Sequence, residues 1–239
     1  MPTIHPVRTS FFENIKATFH ENSYFFALFI IFLIGGGINL LLIETGDSIL
    51  HFSENRSALT DLFFKYGTKL GEEPMYAFFV VFFLFVRFRY SLLIPFVGVI
   101  VTVMSSVTKA FFAHPRPFLF FQKMGMLDQI NFVEGVTLAK GLSSFPSGHT
   151  MSGFALFSLV AFLLNRKKTV AGLLFLIALI VGLSRVYLVQ HFFKDIYLGA
   201  IIGVSIALVL YAFQRQYPLN SQLRIDQRIG LKSPNIATE

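Results

Sequence analysis

Three short stretches carry most of the side chains able to do chemistry. The first holds Lys109 and Arg116, seven residues or two helical turns apart, so that both would point the same way if a helix persists to Pro115. The second is Pro146-Ser147-Gly148-His149, and the third runs from Ser184 and Arg185 to His191 and Asp195. Arg116 lies between Pro115 and Pro117, where stiff backbone would aim a forked donor at an oxyanion. Ser147 suits a helix N-cap, and Gly148 would let a ligand approach the free N–H groups there. The positive end of that helix dipole favours phosphate. A capping serine accounts for Ser147 but not for a histidine two residues on. His191 and Asp195 stand at i and i+4, so a shared helix face would let the carboxylate fix one imidazole nitrogen and free the other as nucleophile or base. Three cations around such a pair match phosphoryl transfer, which depends on positioning and charge stabilisation.

Simpler readings exist for single residues. Lys109 near the end of an apolar run could merely extend its head to the interface. One histidine alone would usually be structural. Two histidines could join Asp195 in holding zinc, but three neighbouring cations oppose a dication. No metal and no cofactor is therefore expected.

The elements that must position these groups are apolar. The 239 residues are 54% hydrophobic and only 14% charged, with mean hydropathy +0.66. Six runs read as membrane helices: 24–43, about 71–86, 91–113, about 147–165, 169–189 and 196–213. The expected fold is an all-α integral membrane bundle of six transmembrane helices forming one domain over 23–213. Residues 1–22 form a cytoplasmic segment in which Ser10 and Glu13 have capping-box spacing. Phe11, Phe12, Ile15 and Phe19 give it an apolar face, consistent with an interfacial helix. The first apolar run is too long for the core of a signal peptide and reads as a retained span. Residues 44–73 form a polar loop with helical spacing of Leu59, Leu62, Phe63, Tyr66 and Leu70. Residues 118–146 form a long loop of the kind that is often functional. A polar, mobile cytoplasmic tail occupies 214–239. Gly35, Gly36 and Gly37 suit close helix packing.

Six crossings place both termini on one side. That side carries eleven of the 20 Lys and Arg and four of the 13 acids, and the other side is neutral. The whole excess of +7 therefore lies with the termini, which the positive-inside rule assigns to the cytoplasm. Lys109, Arg116, His149, Arg185, His191 and Asp195 then converge at the extracytoplasmic boundary, where ionisable groups mark function. The same distribution explains the basic balance without nucleic acid. There is no cysteine, so neither disulfides nor thiolate metal sites arise.

Lys109-x6-Arg116-Pro117, Pro146-Ser147-Gly148-His149 and Ser184-Arg185-x5-His191-x3-Asp195 resemble the three signature motifs of the type 2 phosphatidic acid phosphatase superfamily. That group includes membrane lipid phosphate phosphatases, vanadium haloperoxidases and soluble acid phosphatases. The stretch His191-Phe192-Phe193-Lys194-Asp195 departs from the His-Tyr-Pro-Ser-Asp of many members, which leaves the catalytic positions intact and puts Lys194 where it could touch a headgroup. The resemblance implies that His191 attacks phosphorus, Asp195 orients it, and His149 serves as acid and then base. It implies that Lys109, Arg116, Ser147, Gly148 and Arg185 hold the phosphoryl oxygens. The implied enzyme is a metal-independent hydrolase at a bacterial-type inner membrane, acting on phosphatidic acid, phosphatidylglycerol phosphate, undecaprenyl diphosphate or a lipid A phosphate. A vanadate-dependent haloperoxidase or a non-catalytic lipid or anion carrier are the competing functions. The implied partners are the lipid substrate and the bilayer.

Overall fold

A computed structural model describes residues 9–164, 168–220 and 223–230. Arg8, Arg166, Lys167, Lys232 and residues 231–239 of the expected tail lie outside the described residues. The described chain is all-helical, with ten α-helices and no strand. In order these are α1 (Phe11–Glu21), α2 (Ser23–Leu42), α3 (Asp47–Glu54), α4 (Ala58–Gly67), α5 (Glu73–Leu84), α6 (Phe88–Phe112), α7 (Pro117–Met124), α8 (Gly148–Leu164), α9 (Lys168–Tyr187) and α10 (Phe193–Arg215). Four stretches are long and apolar enough to cross a membrane: Ser23–Leu42, Phe88–Met124, Lys168–Tyr187 and Phe193–Arg215. In the second of these, α6 is the long apolar helix. The apolar helices α5 and α8 are shorter, at 12 and 17 residues.

Helix α8 is the centre. It is apolar on all sides and buried from Thr150 to Phe162 save Ser152, as expected of a helix surrounded by others. Helices α10 and α9 pack on it. At Gly199 and Gly203 a Cβ would lie 2.7 Å from the Ser147 carbonyl and 2.5 Å from that of Met151, so α10 meets α8 backbone to backbone. Rings of Phe25, Phe26, Phe154, Phe162 and Phe175 fill the space between α2, α8 and α9. The expected packing role of the first glycine cluster holds at Gly36, which faces the Tyr197 ring, while the Tyr197 hydroxyl donates to the Leu33 carbonyl at 3.0 Å.

Helix α1 starts with the predicted capping box between Ser10 and Glu13. Its buried face is polar: Asn14 and Thr18 are buried, and the Asn14 amide donates to the Ala212 carbonyl of α10 at 3.2 Å. The phenylalanine face, including Phe12 and Phe19, is exposed.

Four expectations need correction. Residues 44–73 are two helices and a 3₁₀ turn over Thr68–Gly71: Ser57 and Thr60 cap α4, and Phe64 stacks on Tyr187 of α9, while Leu59, Leu62, Phe63 and Tyr66 are exposed. The 118–146 loop begins as α7, for which Pro117 supplies the first turn and Gly125 the left-handed stop. Helix α6 does not persist to Pro115. It ends at Phe112, with Ala113 left-handed at φ 44°, so Lys109 and Arg116 do not share a helical face. Residues 223–230 do not trail away as a mobile tail. Asp226 is buried against Arg89 at 2.6 Å, and the Ile229 N–H donates to the Leu84 carbonyl at 3.0 Å.

Candidate active site

The turn between α9 and α10 carries the central pair. His191 lies just before α10, and Asp195 lies in its first turn, so they are not on one helix face as the spacing suggested. The contact forms all the same, with His191 Nδ1 3.2 Å from Asp195 Oδ2. That one carboxylate oxygen also accepts from the Phe192 N–H at 3.0 Å and from the Ser144 hydroxyl at 2.5 Å. An aspartate with these partners is an acceptor only, so Nδ1 carries the proton and Nε2 the lone pair. His191 and Asp195 are essentially fully buried, at 1% and 0% exposed. Burial pushes the His191 imidazole down to about 4, against the pull of Asp195 and with help from Arg116. His191 is therefore neutral at physiological pH, the state a nucleophile needs.

The cations approach from three sides. Arg116 precedes α7, its backbone N–H held by the Gly141 carbonyl at 2.9 Å. Its Nη1 donates to the Gln190 carbonyl at 3.0 Å and lies 3.2 Å from His191 Nε2. Arg185, in the last turn of α9, donates to the Thr68 hydroxyl at 2.7 Å, and its carbonyl accepts the His191 N–H at 3.0 Å. The Nε atoms of Arg116 and Arg185 are buried without a hydrogen-bond partner among the described residues. Unpaired buried donors are costly, and an oxyanion would satisfy both. Lys109 reaches the start of α8, where a Cβ on Gly148 would stand 3.2 Å from its Nζ and 2.7 Å from Ser105 Oγ.

Ser147 is fully buried and caps α8, accepting from the Thr150 N–H at 3.3 Å and the Thr150 hydroxyl at 2.9 Å. Its own N–H donates to the Asp195 carbonyl at 3.0 Å. The capping serine and the orienting aspartate are thus one bond apart, across the α8–α10 contact. His149 opens onto a cavity of about 710 Å³ between α5, α6 and α8. Tyr76, Pro95, Gly98 and Val99 line its apolar walls, and Glu72 and His149 line its polar end.

All eight predicted site residues gather at one end of the bundle. Sequence reasoning missed Ser144, Gln190, Thr68 and Glu72, which act on them through tertiary contact. Ser144 stood two residues before Pro146, and only a pattern extended upstream of the second motif could have flagged it. Lys194 sits over the Phe192 ring, 5.8 Å from its centroid. Among the described residues no cluster of three or more His, Cys, Asp or Glu could hold a metal ion.

An all-helical chain with apolar helices long enough to span a bilayer is a membrane protein, and its buried Asp–His pair among three cations is a candidate phosphate site. The protein belongs to the PAP2 superfamily, whose model matches residues 90–218. The chain is 36% identical over 93 residues to a probable lipid phosphate phosphatase 4 of Arabidopsis thaliana, and 35% identical over 81 residues to phosphatidylglycerophosphatase B of Bacillus subtilis. These matches span 34% and 30% of this chain and only 30% and 40% of those relatives. Among solved structures, Aquifex aeolicus LpxE is similar with a TM-score of 0.59 and 25% identity, over 70% of this chain and 93% of that one. A PAP2 type phosphatidylglycerolphosphate phosphatase from Bacillus subtilis gives a TM-score of 0.57 at 22% identity, over 83% and 98%, and shows the shared fold.

Proposed function

We propose that this chain is a membrane phosphatase that hydrolyses a lipid phosphate or diphosphate through a phosphohistidine. The observation that carries this reading is His191 Nε2, 3.2 Å from the Arg116 guanidinium, with Nδ1 backed by a buried aspartate. A phosphoryl group held by Arg116 has its phosphorus beside Nε2. His191 Nε2 then bonds phosphorus as the ester P–O bond breaks, and His149 gives its proton to the leaving oxygen. In the second step His149 takes a proton from water, the water oxygen bonds phosphorus, and the Nε2–P bond breaks. Lys109, Arg116, Arg185 and the N–H groups at the start of α8 stabilise the charge on the equatorial oxygens. Those side chains supply the positive charge that a metal supplies in other phosphoryl-transfer sites.

The cavity beside His149 supports a lipid substrate, because its apolar walls suit acyl chains next to the polar end. The names of the relatives point to the same class. Six helices cross the membrane on this reading, with α5 and α8 shorter than a full span. The charge bias puts both termini in the cytoplasm and the site at the outer face of a bacterial-type inner membrane.

The test is phosphate release by detergent-purified protein from phosphatidic acid, phosphatidylglycerol phosphate, undecaprenyl diphosphate and a lipid A phosphate, in excess EDTA, beside His191→Ala. Release by wild type alone, with acid-labile labelled phosphoenzyme, is expected. Turnover that survives His191→Ala rules out the nucleophile. Activity lost in EDTA and restored by a divalent ion rules out the metal-free step.

A further inference from the structure

The residues matched by the family model begin at position 90, yet one wall of the site lies upstream of it. The 3₁₀ turn Thr68–Gly71 and the N-cap Glu72 of α5 stand against the catalytic end of α8 and α9. Thr68 accepts from Arg185 at 2.7 Å. Glu72 Oε1 is 3.6 Å from His149 Nε2. The register of this segment is fixed by Ser152, three residues beyond His149. The Ser152 hydroxyl lies 2.7 Å from the Gly71 carbonyl and 3.0 Å from the Tyr76 hydroxyl, in reach of both acceptors. Glu72 is therefore held beside His149 by the same helix that carries His149.

That placement answers an electrostatic difficulty. An acid must carry a proton at the moment the leaving group departs, and His149 carries it among like charges. Lys109 of α6, Arg116 before α7 and Arg185 of α9 are the cations around it, and the neutral His191, itself paired with Asp195, adds no charge. Glu73 and Tyr76 line the same cavity from α5. Among the described residues Glu72 is the acid within ion-pair distance of His149. An opposite charge at this separation stabilises the imidazolium and fixes which way the ring presents its proton.

We propose that Glu72 is a positioning residue for the proposed acid: its carboxylate holds the proton-bearing His149 imidazole toward the leaving-group oxygen. This rests on the acid role of His149 given above. Its consequence is a dependence on leaving group. An alkyl or lipid oxygen needs a proton as it departs, whereas a nitrophenyl oxygen does not.

The experiment compares wild type, Glu72→Gln and His149→Ala on a lipid phosphate and on 4-nitrophenyl phosphate, with kcat/KM followed across pH. Glu72→Gln is isosteric, and its unfolding midpoint should match wild type. It should lose about tenfold or more on the lipid phosphate and little on the nitrophenyl ester, a part of the 10²–10⁴ that acid catalysis provides. The basic limb of its lipid profile should move to lower pH. Equal losses on both substrates, or a basic limb that stays in place, would overturn the proposal. If His149→Ala shows the leaving-group pattern and Glu72→Gln does not, the acid role stands and the Glu72 assignment falls. If His149→Ala lacks the pattern, both fall.

Discussion

At the scale of residues, the proposed mechanism turns on which nitrogen of one imidazole is free. Asp195 accepts the hydrogen bond from Nδ1–H and leaves Nε2 facing Arg116. Asp195→Asn should keep the protein folded but let the ring take the other tautomer, lowering phosphoenzyme formation by about 10²-fold or more, as read by rapid-quench labelling. The pH dependence follows from burial. His191 is held at about 4, below its ordinary 6.5. Between those values the unfolded chain binds a proton there that the folded chain does not, so stability from this group is complete above about pH 6.5 and is lost as pH falls toward 4. The acidic limb of kcat/KM should accordingly lie near pH 4, and a limb near 6.5 would show that His191 titrates as an exposed imidazole. Gly148 gives a steric prediction. A Gly148→Ala methyl would meet Ser105 Oγ at 2.7 Å and Lys109 Nζ at 3.2 Å, displacing the lysine from the cradle. Orthovanadate should inhibit that variant more weakly than wild type.

At the scale of elements, the seam between α8 and α10 decides whether the cradle and the nucleophile meet. A side chain at Gly203 would strike the Met151 carbonyl at 2.5 Å and the Phe154 Cβ at 3.0 Å, and backbone cannot yield as a flexible side chain can. Gly203→Val should therefore destabilise by about 1–3 kcal/mol or more, measured by thermal unfolding in detergent. The apolar helices were legible because long hydrophobic runs with polar ends leave few alternatives in a chain this poor in charge. The three motifs were legible because their spacing survives any detail of geometry. Lys109 and Arg116 show where such reading stops. Seven residues suggested two continuous turns, yet Ala113 turns left-handed and α6 ends at Phe112, and the two cations meet by different routes. The His191–Asp195 contact was right for a different reason, since it crosses a helix start. Ser144, Thr68 and Glu72 left no trace in local pattern because each reaches the site only through a partner more than 50 residues away.

At the scale of the whole molecule, the two ends of the bundle do different work. The end opposite the site is closed by Arg89 and Asp226, paired at 2.6 Å, with the Asn220 N–H donating to the same carboxylate at 2.8 Å. Asp226→Ala leaves a buried guanidinium unpaired and should cost about 3–5 kcal/mol, while phosphate release by the surviving folded protein stays near wild type. The chain has no cysteine, so introduced thiols report sidedness without background. Lys123→Cys should react with an impermeant maleimide added outside intact cells, and Lys16→Cys only after lysis. The reverse pattern would invert the proposed orientation.

The direct contact of α8 with α10 has a mechanical consequence. Ser147 and Asp195 are joined by one backbone hydrogen bond at the top of a seam with no side chains to compress at Gly199 and Gly203. Such a seam behaves as a stiff keel, around which the outer helices can lean as the bilayer thins or thickens. Vesicles of graded acyl length should then alter how often a lipid reaches His191 and leave almost untouched how fast it reacts once there.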